Sequence, residues 1–128
     1  MRVLVDTHTF LWALLKDPRL SANAQQILTS ENSELVFSLA SLWEISIKIK
    51  LGKLRALGSS VAYVRDEMHE YGMELLPIRF EHILQLEMLP QHHGDPFDRL
   101  LIAQATTEAI PILTHDERFS AYSVDLLW

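Results

Sequence analysis

The chain has 128 residues, a formal charge of −6 and no cysteine, with 48% apolar and 22% charged residues. This length is typical of one domain with a sizeable core, so we expect a single domain over residues 1–128. The lack of cysteine excludes a disulfide scaffold, and the acidic balance argues against a protein that simply coats nucleic acid. The apolar runs are too short to cross a bilayer and the start does not resemble a signal peptide, which predicts a cytoplasmic protein without membrane attachment.

The first third of the chain predicts two strands with helices between them. RVLV is short, apolar and β-branched, and it ends at an acid, whereas Asp17-Pro18 is a helix stop and Ser21 is a helix N-cap. The predicted elements are a strand at 2–5, a helix from 7 to Asp17, a helix over SANAQQILTSEN from Ser21, and a strand at 34–38.

The segment SLWEISIKIKLGK at 41–53 is ambiguous. Leu42, Ile45 and Ile49 have helical spacing, but isoleucines at every second position also alternate as they would in a strand. We favour a helix because Ser38 and Ser41 can cap its start and Gly52 can end it.

The remaining chain continues the alternation of helices and strands. The predicted elements are helices at 60–71, 80–89 and 96–109, strands at 73–78, 110–114 and 124–128, a loop over QHHGDP and a turn at Asp116. Strands separated by helices imply parallel pairing through right-handed crossovers, with helices on both faces. The predicted fold is therefore an α/β/α sandwich around a mainly parallel sheet.

Several acids follow strands in this arrangement. Asp6 comes directly after the first strand, and Asp116 lies two residues beyond IPILT. Glu44 lies about two turns into the helix after ELVFS, and Asp98 lies at the start of the helix that leads into IPILT. Because function gathers at the carboxyl ends of parallel strands, we expect these acids to approach one edge of the sheet.

The stretch DPFD at 95–98 has both a structural and a functional interpretation. Asp95 followed by Pro96 is typical of a helix start, with the acid as N-cap and proline at the first helical position. Asp98 then falls in the first turn, where a carboxylate also favours the helix dipole. We therefore expect Asp95 to act chiefly as a cap, while Asp98 has either role.

Clustered carboxylates repel one another unless a cation keeps them ionised. A small set of hard oxygen ligands with room for water suits Mg²⁺ or Mn²⁺. Histidines near the acids offer a rival site for a softer ion, but they lack the spacing of a helical zinc motif, and we expect them at the surface or behind the acids. These histidines are His8, His92, His93 and His115.

Basic residues are concentrated in IKIKLGKLR at 47–55. This cluster is either a solvated face or a local track for phosphates, with Lys48 and Lys50 as the candidate contacts. Arg99 has the same two interpretations, because it either contacts a phosphate backbone or lies outward in solvent. Trp12 and Trp43 lie in apolar helical stretches and are expected in the core or an interface.

Four motifs, VDTHTFLWAL, SLWEISIKIKLGKL, DPFDRLLIAQA and LTHDERF, occur in that order over nearly the whole chain. Together they resemble a PIN-domain ribonuclease of the VapC toxin type. The resemblance implies a three-layer α/β/α sandwich and a Mg²⁺- or Mn²⁺-dependent endoribonuclease that forms the toxin half of a toxin–antitoxin pair. By this resemblance, the catalytic and metal-binding acids are Asp6, Glu44, Asp98 and Asp116, with Asp95 and Thr114 behind them.

The resemblance also implies partners. An inhibitory antitoxin is expected, with arginines or lysines that enter the carboxylate pocket. The FLWALL and SVAYV faces are expected either to pack in the core or to form a homodimer. The RNA substrate itself cannot be deduced from the sequence.

Other classes fit less well. A haloacid-dehalogenase-like phosphatase needs a second acid two residues after Asp6, where this chain has His8. A receiver domain needs an acidic pair after the first strand and a phosphoacceptor aspartate after the third. The alternative that stays open is a non-catalytic PIN-like module that grips RNA or a protein through its acidic groove.

Overall fold

The computed structural model describes all residues from Met1 to Trp128. Eleven helices and strands alternate along the chain, and short 3₁₀ turns lie at Arg55–Leu57 and Glu117–Ala121. The helices and strands are β1 (Arg2–Val5), α1 (Thr7–Leu15), α2 (Ala22–Thr29), β2 (Glu34–Ser38), α3 (Leu39–Lys50), α4 (Ala62–Glu70), β3 (Glu74–Leu76), α5 (Phe80–Met88), α6 (Pro96–Glu108), β4 (Ile112–Leu113) and β5 (Leu126–Leu127).

The sheet has the strand order β3-β2-β1-β4-β5, and every pair of neighbouring strands is parallel. The mainly parallel sheet predicted from the sequence is therefore wholly parallel. β1 lies at its centre, with Leu4 opposite Val36 of β2 and Ile112 of β4. The carboxyl end of β1 is thus flanked by β2 and β4, and Asp6, which follows β1, lies between their ends.

Successive residues of the central strand point to opposite faces of the sheet. Val3 and Val5 belong to a core with side chains from α1, α2, α3 and α4, whereas Leu4 belongs to a second core with side chains from α6. A strand that is buried on both faces is apolar throughout, as RVLV is after its first residue. The two cores confirm the three-layer α/β/α sandwich.

The ambiguous segment after β2 is a helix, as predicted. Ser38 caps α3, since its Oγ accepts the Ala40 N–H at 3.0 Å, and Gly52 follows the helix with a φ of +75°. Ser41 is not a cap, although its position suggested one. It is buried, and the Thr7 hydroxyl donates to its Oγ at 2.7 Å, so Ser41 ties α3 to α1.

Three strands, β3, β4 and β5, are shorter than predicted, and prolines limit the first two. β3 ends at Leu76, before Pro77, and β4 begins after Pro111. Proline has no N–H to donate to a ladder, so each of these residues limits the regular pairing at its strand.

The apolar surface also differs from the prediction. In FLWALL, Phe10 and Leu11 are buried in the core, while Trp43 is 58% exposed and packs only edge-on against Phe97. Trp43 therefore does not lie in the core, because its face of α3 points away from the sheet, and its place in an interface stays a prediction. Exposed apolar side chains instead form one stripe on α3 and another on α5, namely Leu39, Trp43, Ile47 and Leu51, then Phe80, Ile83, Leu84 and Met88.

None of the helices has both the length and the apolar character needed to span a bilayer.

Candidate metal centre

The expected acids meet at the carboxyl edge of the sheet. Asp6 follows β1 and lies beside Thr114, which follows β4 and donates its hydroxyl proton to Asp6 Oδ2 at 2.9 Å. Asp98 and Asp116 lie together with His93, with one potential ligand atom from each within 4.8 Å of the others. Glu44 lies in α3, and its charge adds to the raised pKa of both Asp6 and Asp98.

Asp6 and Glu44 each have a buried carboxylate oxygen without a partner, and we call them the inner pair for that reason, since Asp98 is equally buried at 5% exposed. Asp6 and Glu44 are 3% and 6% exposed, and Asp6 Oδ1 and Glu44 Oε1 are buried without a hydrogen-bond partner in the protein. Burial raises the pKa of Asp6 to about 7, and the charges of Asp98 and Glu44 add to that rise against the opposing bond from Thr114. Two unpartnered carboxylate oxygens in a low-dielectric site are costly unless a cation neutralises them.

Asp98 and Asp116 form the outer pair. Burial raises the pKa of Asp98 to about 6, although the bond from His93 opposes the rise. The pKa of Asp116 is lowered, chiefly by its hydrogen bonds from Arg118, whose Nη2 lies 2.6 Å from Asp116 Oδ2 and 3.7 Å from Asp98 Oδ2. The outer acids are therefore already partnered by groups of the protein.

Asp6 and Asp95 both precede a helix, but only Asp95 caps one. Asp95 Oδ1 accepts the N–H groups of Phe97 and Asp98 at 2.9 and 3.1 Å, with Pro96 in the first turn. Asp6 makes no side-chain bond to the start of α1. Its carboxylate faces Thr114 instead, so the structure separates the helix cap from the residue in the site.

The donor set fits a hard divalent cation. Carboxylate oxygens are the ligands that Mg²⁺ and Mn²⁺ prefer, and the unpartnered Asp6 Oδ1 and Glu44 Oε1 are available for such an ion. A cavity of about 390 Å³ opens beside Asp6 and Asp116, so ligand and water can approach. The residues that would hold the cation are Asp6, Glu44, Asp98 and Asp116.

The histidines do not form the rival imidazole site. His8, His92 and His115 are exposed, with His92 against Tyr122 and His115 against Trp12 and Trp128. Only His93 contacts one of the four acids. A site rich in imidazole, as Zn²⁺ prefers, is therefore not assembled.

The candidate RNA contacts lie in different environments. Lys48 lies 3.5 Å from Glu44 Oε2, and its Nζ donates to His8 Nε2 at 3.2 Å. Lys50 is exposed one half-turn further along α3.

Arg99 is 8% exposed, and its Nη1 donates to Pro90 O at 2.9 Å and to the Tyr122 hydroxyl at 3.1 Å. The interpretation that Arg99 lies outward in solvent is wrong, because it ties the loop before α6 to the end of the second 3₁₀ turn. The same bonds leave it poorly placed to contact RNA.

Two residues of the site were missed by the sequence analysis. His93 was grouped with the other histidines, yet it lies two residues before the helix cap and so next to the first turn that carries Asp98. Arg118 lies two residues after Asp116, the same spacing that pairs Arg19 with Asp17 at 2.7 Å elsewhere in the chain. That repeated Asp-x-Arg spacing is a signal that could have identified Arg118.

The fold and its acid cluster define an α/β/α protein with acids at the carboxyl edge of a parallel sheet. The family model of the PIN domain matches residues 3–124 of this chain. The chain belongs to the PIN-domain family. It is 35% identical to ribonuclease VapC16 of Mycobacterium tuberculosis over 71 residues, which cover 52% of this chain and 50% of that relative. The match thus spans about half the length of the curated relative.

Solved structures share the fold over almost the whole chain. VapBC2 from Rickettsia felis, bound to a DNA fragment from its promoter, matches with a TM-score of 0.77 and 15% identity, covering 99% of this chain and 98% of that one. FitAcB from Neisseria gonorrhoeae matches with a TM-score of 0.68 and 17% identity, covering 98% of this chain and 96% of that one. VapC20 of Mycobacterium tuberculosis, a Sarcin-Ricin loop cleaving toxin, matches at 0.65 and 20%, covering 95% of each chain.

Proposed function

We propose that this chain is a Mg²⁺- or Mn²⁺-dependent endoribonuclease, a single domain over residues 1–128 that acts in the cytoplasm as the toxin of a type II toxin–antitoxin pair. The observation that carries the proposal is the buried carboxylate pair of Asp6 and Glu44, each with an unpartnered oxygen. The similarity to a relative named ribonuclease, and to structures of toxin–antitoxin complexes, supports the same activity.

The acids of the chain supply the ligands for this reaction. When bound, the cation polarises a phosphoryl oxygen of RNA, lowers the pKa of an attacking water and stabilises the developing charge. Thr114 orients Asp6 through its 2.9 Å bond, and Asp95 holds the start of α6, which places Asp98 in its first turn. In this proposal Asp6, Glu44, Asp98 and Asp116 are the catalytic metal ligands, and Thr114 and Asp95 position them.

The substrate contacts in this proposal are cations at the rim of the acidic edge. Lys48 and Lys50 lie in the last turn of α3, on the element that carries Glu44, and Arg118 lies 64% exposed above Asp98 and Asp116. Phosphates of an RNA backbone are the natural partners for such groups on an acidic protein. Arg99 drops out of this set because its guanidinium is buried and bonded.

The proposed protein partners use other features. An antitoxin would direct a basic side chain into the carboxylate pocket, where charge-assisted bonds replace the cation. A homodimer would bury the exposed apolar stripes of α3 and α5, since Phe10 and Leu11 of FLWALL and Val64 of SVAYV take the alternative that was predicted for them, core packing. Exposed apolar stripes of this kind mark interaction surfaces.

The first experiment incubates the purified protein with a mixed cellular RNA pool, with and without Mn²⁺ or Mg²⁺. Asp98→Asn, Asp95→Asn and Asp66→Asn are tested beside the wild type. We expect metal-dependent cleavage that is lost in Asp98→Asn, because a metal ligand is removed. Asp95→Asn should retain it, because asparagine is an equally good N-cap.

The control Asp66→Asn changes a 70% exposed carboxylate on α4 and should cleave like the wild type. Absence of cleavage by folded wild type would favour the non-catalytic binding module instead. Loss of cleavage in both Asp98→Asn and Asp95→Asn would show that Asp95 does more than cap the helix.

A further inference from the structure

His93 lies in the loop before α6, and its side chain is 7% exposed. Its Nε2 lies 2.8 Å from Asp98 Oδ2, and the Asp95 N–H donates to its Nδ1 at 3.4 Å. Because the backbone group can only donate, Nδ1 is the acceptor of the ring. The proton of the neutral imidazole therefore resides on Nε2 and is donated to Asp98.

The hydrogen bond from His93 reaches only one of the two carboxylate oxygens of Asp98. His93 Nε2 and Arg118 Nη2 both approach Oδ2, at 2.8 and 3.7 Å. Oδ1 is the oxygen of Asp98 that neither group contacts. His93 and Arg118 therefore hold one oxygen of the carboxylate and leave Oδ1 without a contact from either group.

Both ring nitrogens of His93 are committed to the protein. Nδ1 is held by the backbone beside the helix cap, and Nε2 is held by Asp98. A ring nitrogen needs a free lone pair to bind a metal, and the lone pair on Nδ1 is taken by the Asp95 N–H. The geometry therefore differs from that of a histidine ligand, although His93 lies close enough to the acids to be grouped with them.

We propose that His93 is a positioning residue that orients the carboxylate of Asp98 toward the divalent cation without binding the cation itself. The inference rests on the proposed function, since it concerns the same metal centre. Hydrogen-bonding partners of metal ligands fix ligand orientation, and their removal typically weakens metal binding by about 10- to 100-fold.

The experiment measures the Kd for Mn²⁺ by titration calorimetry on the full chain, with RNA cleavage at saturating Mn²⁺ as a second reading. His93→Ala should weaken Mn²⁺ binding by about 10- to 100-fold. His93→Gln should restore most of the affinity, because a glutamine amide can donate from near the position of Nε2. His92→Ala is the matched control, since His92 is the neighbouring histidine but packs against Tyr122 instead of the acids.

The outcomes separate the inference from the proposed function. Unchanged Mn²⁺ affinity in folded His93→Ala would overturn the positioning role. An affinity in His93→Gln as low as in His93→Ala would also overturn it, since that result indicates a direct imidazole ligand. Wild type that binds Mn²⁺ but cleaves no RNA would remove the proposed function and leave the positioning role intact, whereas wild type that binds no Mn²⁺ would overturn both.

Discussion

The inner and outer carboxylates of the acid cluster differ in how the protein treats them. Asp6 and Glu44 each keep one buried oxygen without a partner, whereas Asp98 and Asp116 receive His93 and Arg118. Thr114 and Lys48 each partner one oxygen of Asp6 and Glu44, but the second oxygen of each inner acid is buried without a partner. The buried, unpartnered oxygens of the inner pair lower the stability of the metal-free protein, and a bound cation would remove that cost. We therefore expect the free energy of unfolding to depend more on the inner pair than on the outer pair.

The largest expected effect is stabilisation by the metal itself. At a free Mn²⁺ concentration 100 times the Kd, the free energy of unfolding should rise by about 2.7 kcal/mol. Asp6→Asn should lose most of this gain because it removes an inner ligand, while Asp66→Asn should keep it. Urea unfolding at pH 8 with and without Mn²⁺ measures the gain, and an equal gain in Asp6→Asn would refute the role of the inner pair.

The inner pair should also set the pH dependence of the metal-free protein. The pKa of Asp6 is raised to about 7 from 3.8, so the folded state binds the proton more tightly than the unfolded state. The free energy of unfolding should therefore fall as pH rises from about 4 to about 7, and Asp6→Asn should remove this fall, of which about 2.5 kcal/mol lies between pH 5 and pH 8.

Urea unfolding in EDTA at pH 5 and pH 8 tests this dependence. The stability of Asp6→Asn relative to the wild type should be greater at pH 8 than at pH 5. Parallel pH profiles for the two proteins would contradict the raised pKa of Asp6.

Thr114 joins the two halves of the site, and its loss should have an intermediate effect. Its hydroxyl donates to Asp6 Oδ2 and accepts the Asp116 N–H at 3.0 Å. Thr114→Val should cost roughly 1–2 kcal/mol at pH 8, because both groups lose a buried partner. Thr114→Ser retains the hydroxyl and should cost less, so equal losses in the two variants would assign the effect to packing.

The smallest effect is expected in the outer half. Arg118 is 64% exposed, so Arg118→Gln should change the free energy of unfolding by less than about 0.5 kcal/mol. The pKa of Asp116 should nevertheless rise toward its ordinary value, as measured by NMR titration. Arg19→Gln is the matched control, because it breaks the equivalent pair with Asp17 and should leave Asp116 unchanged.

Much of the fold could be predicted from local pattern. Apolar β-branched runs identified the strands, and the caps at Ser38 and Asp95 follow from their side-chain chemistry. The convergence of the acids follows from one topological rule, since parallel strands end at the same edge. The strands predicted at 73–78 and 110–114 are too long because Pro77 and Pro111 limit the ladder at β3 and β4.

The parts that could not be predicted depend on contacts between distant segments. Arg99 looked like a surface residue beside Asp98, yet its guanidinium donates to the hydroxyl of Tyr122, which follows β4 in the chain. His93 could not be distinguished from His92 by sequence, because only the path of the loop decides which ring meets Asp98. Trp43 lies on the outer face of α3. The helix has apolar residues on two faces, and the sequence pattern does not decide which face is buried.

The pairing of β1 with β4 has a consequence for the time at which the site comes into existence. Asp6 and Thr114 are 108 positions apart, and Leu4 pairs with Ile112. During synthesis, at about 5–20 residues per second, Asp6 is made several seconds before Thr114 and Asp116 and lacks these neighbours until then. A nascent chain therefore carries no assembled acid cluster, and the proposed nuclease centre forms only after Asp116 has been synthesised.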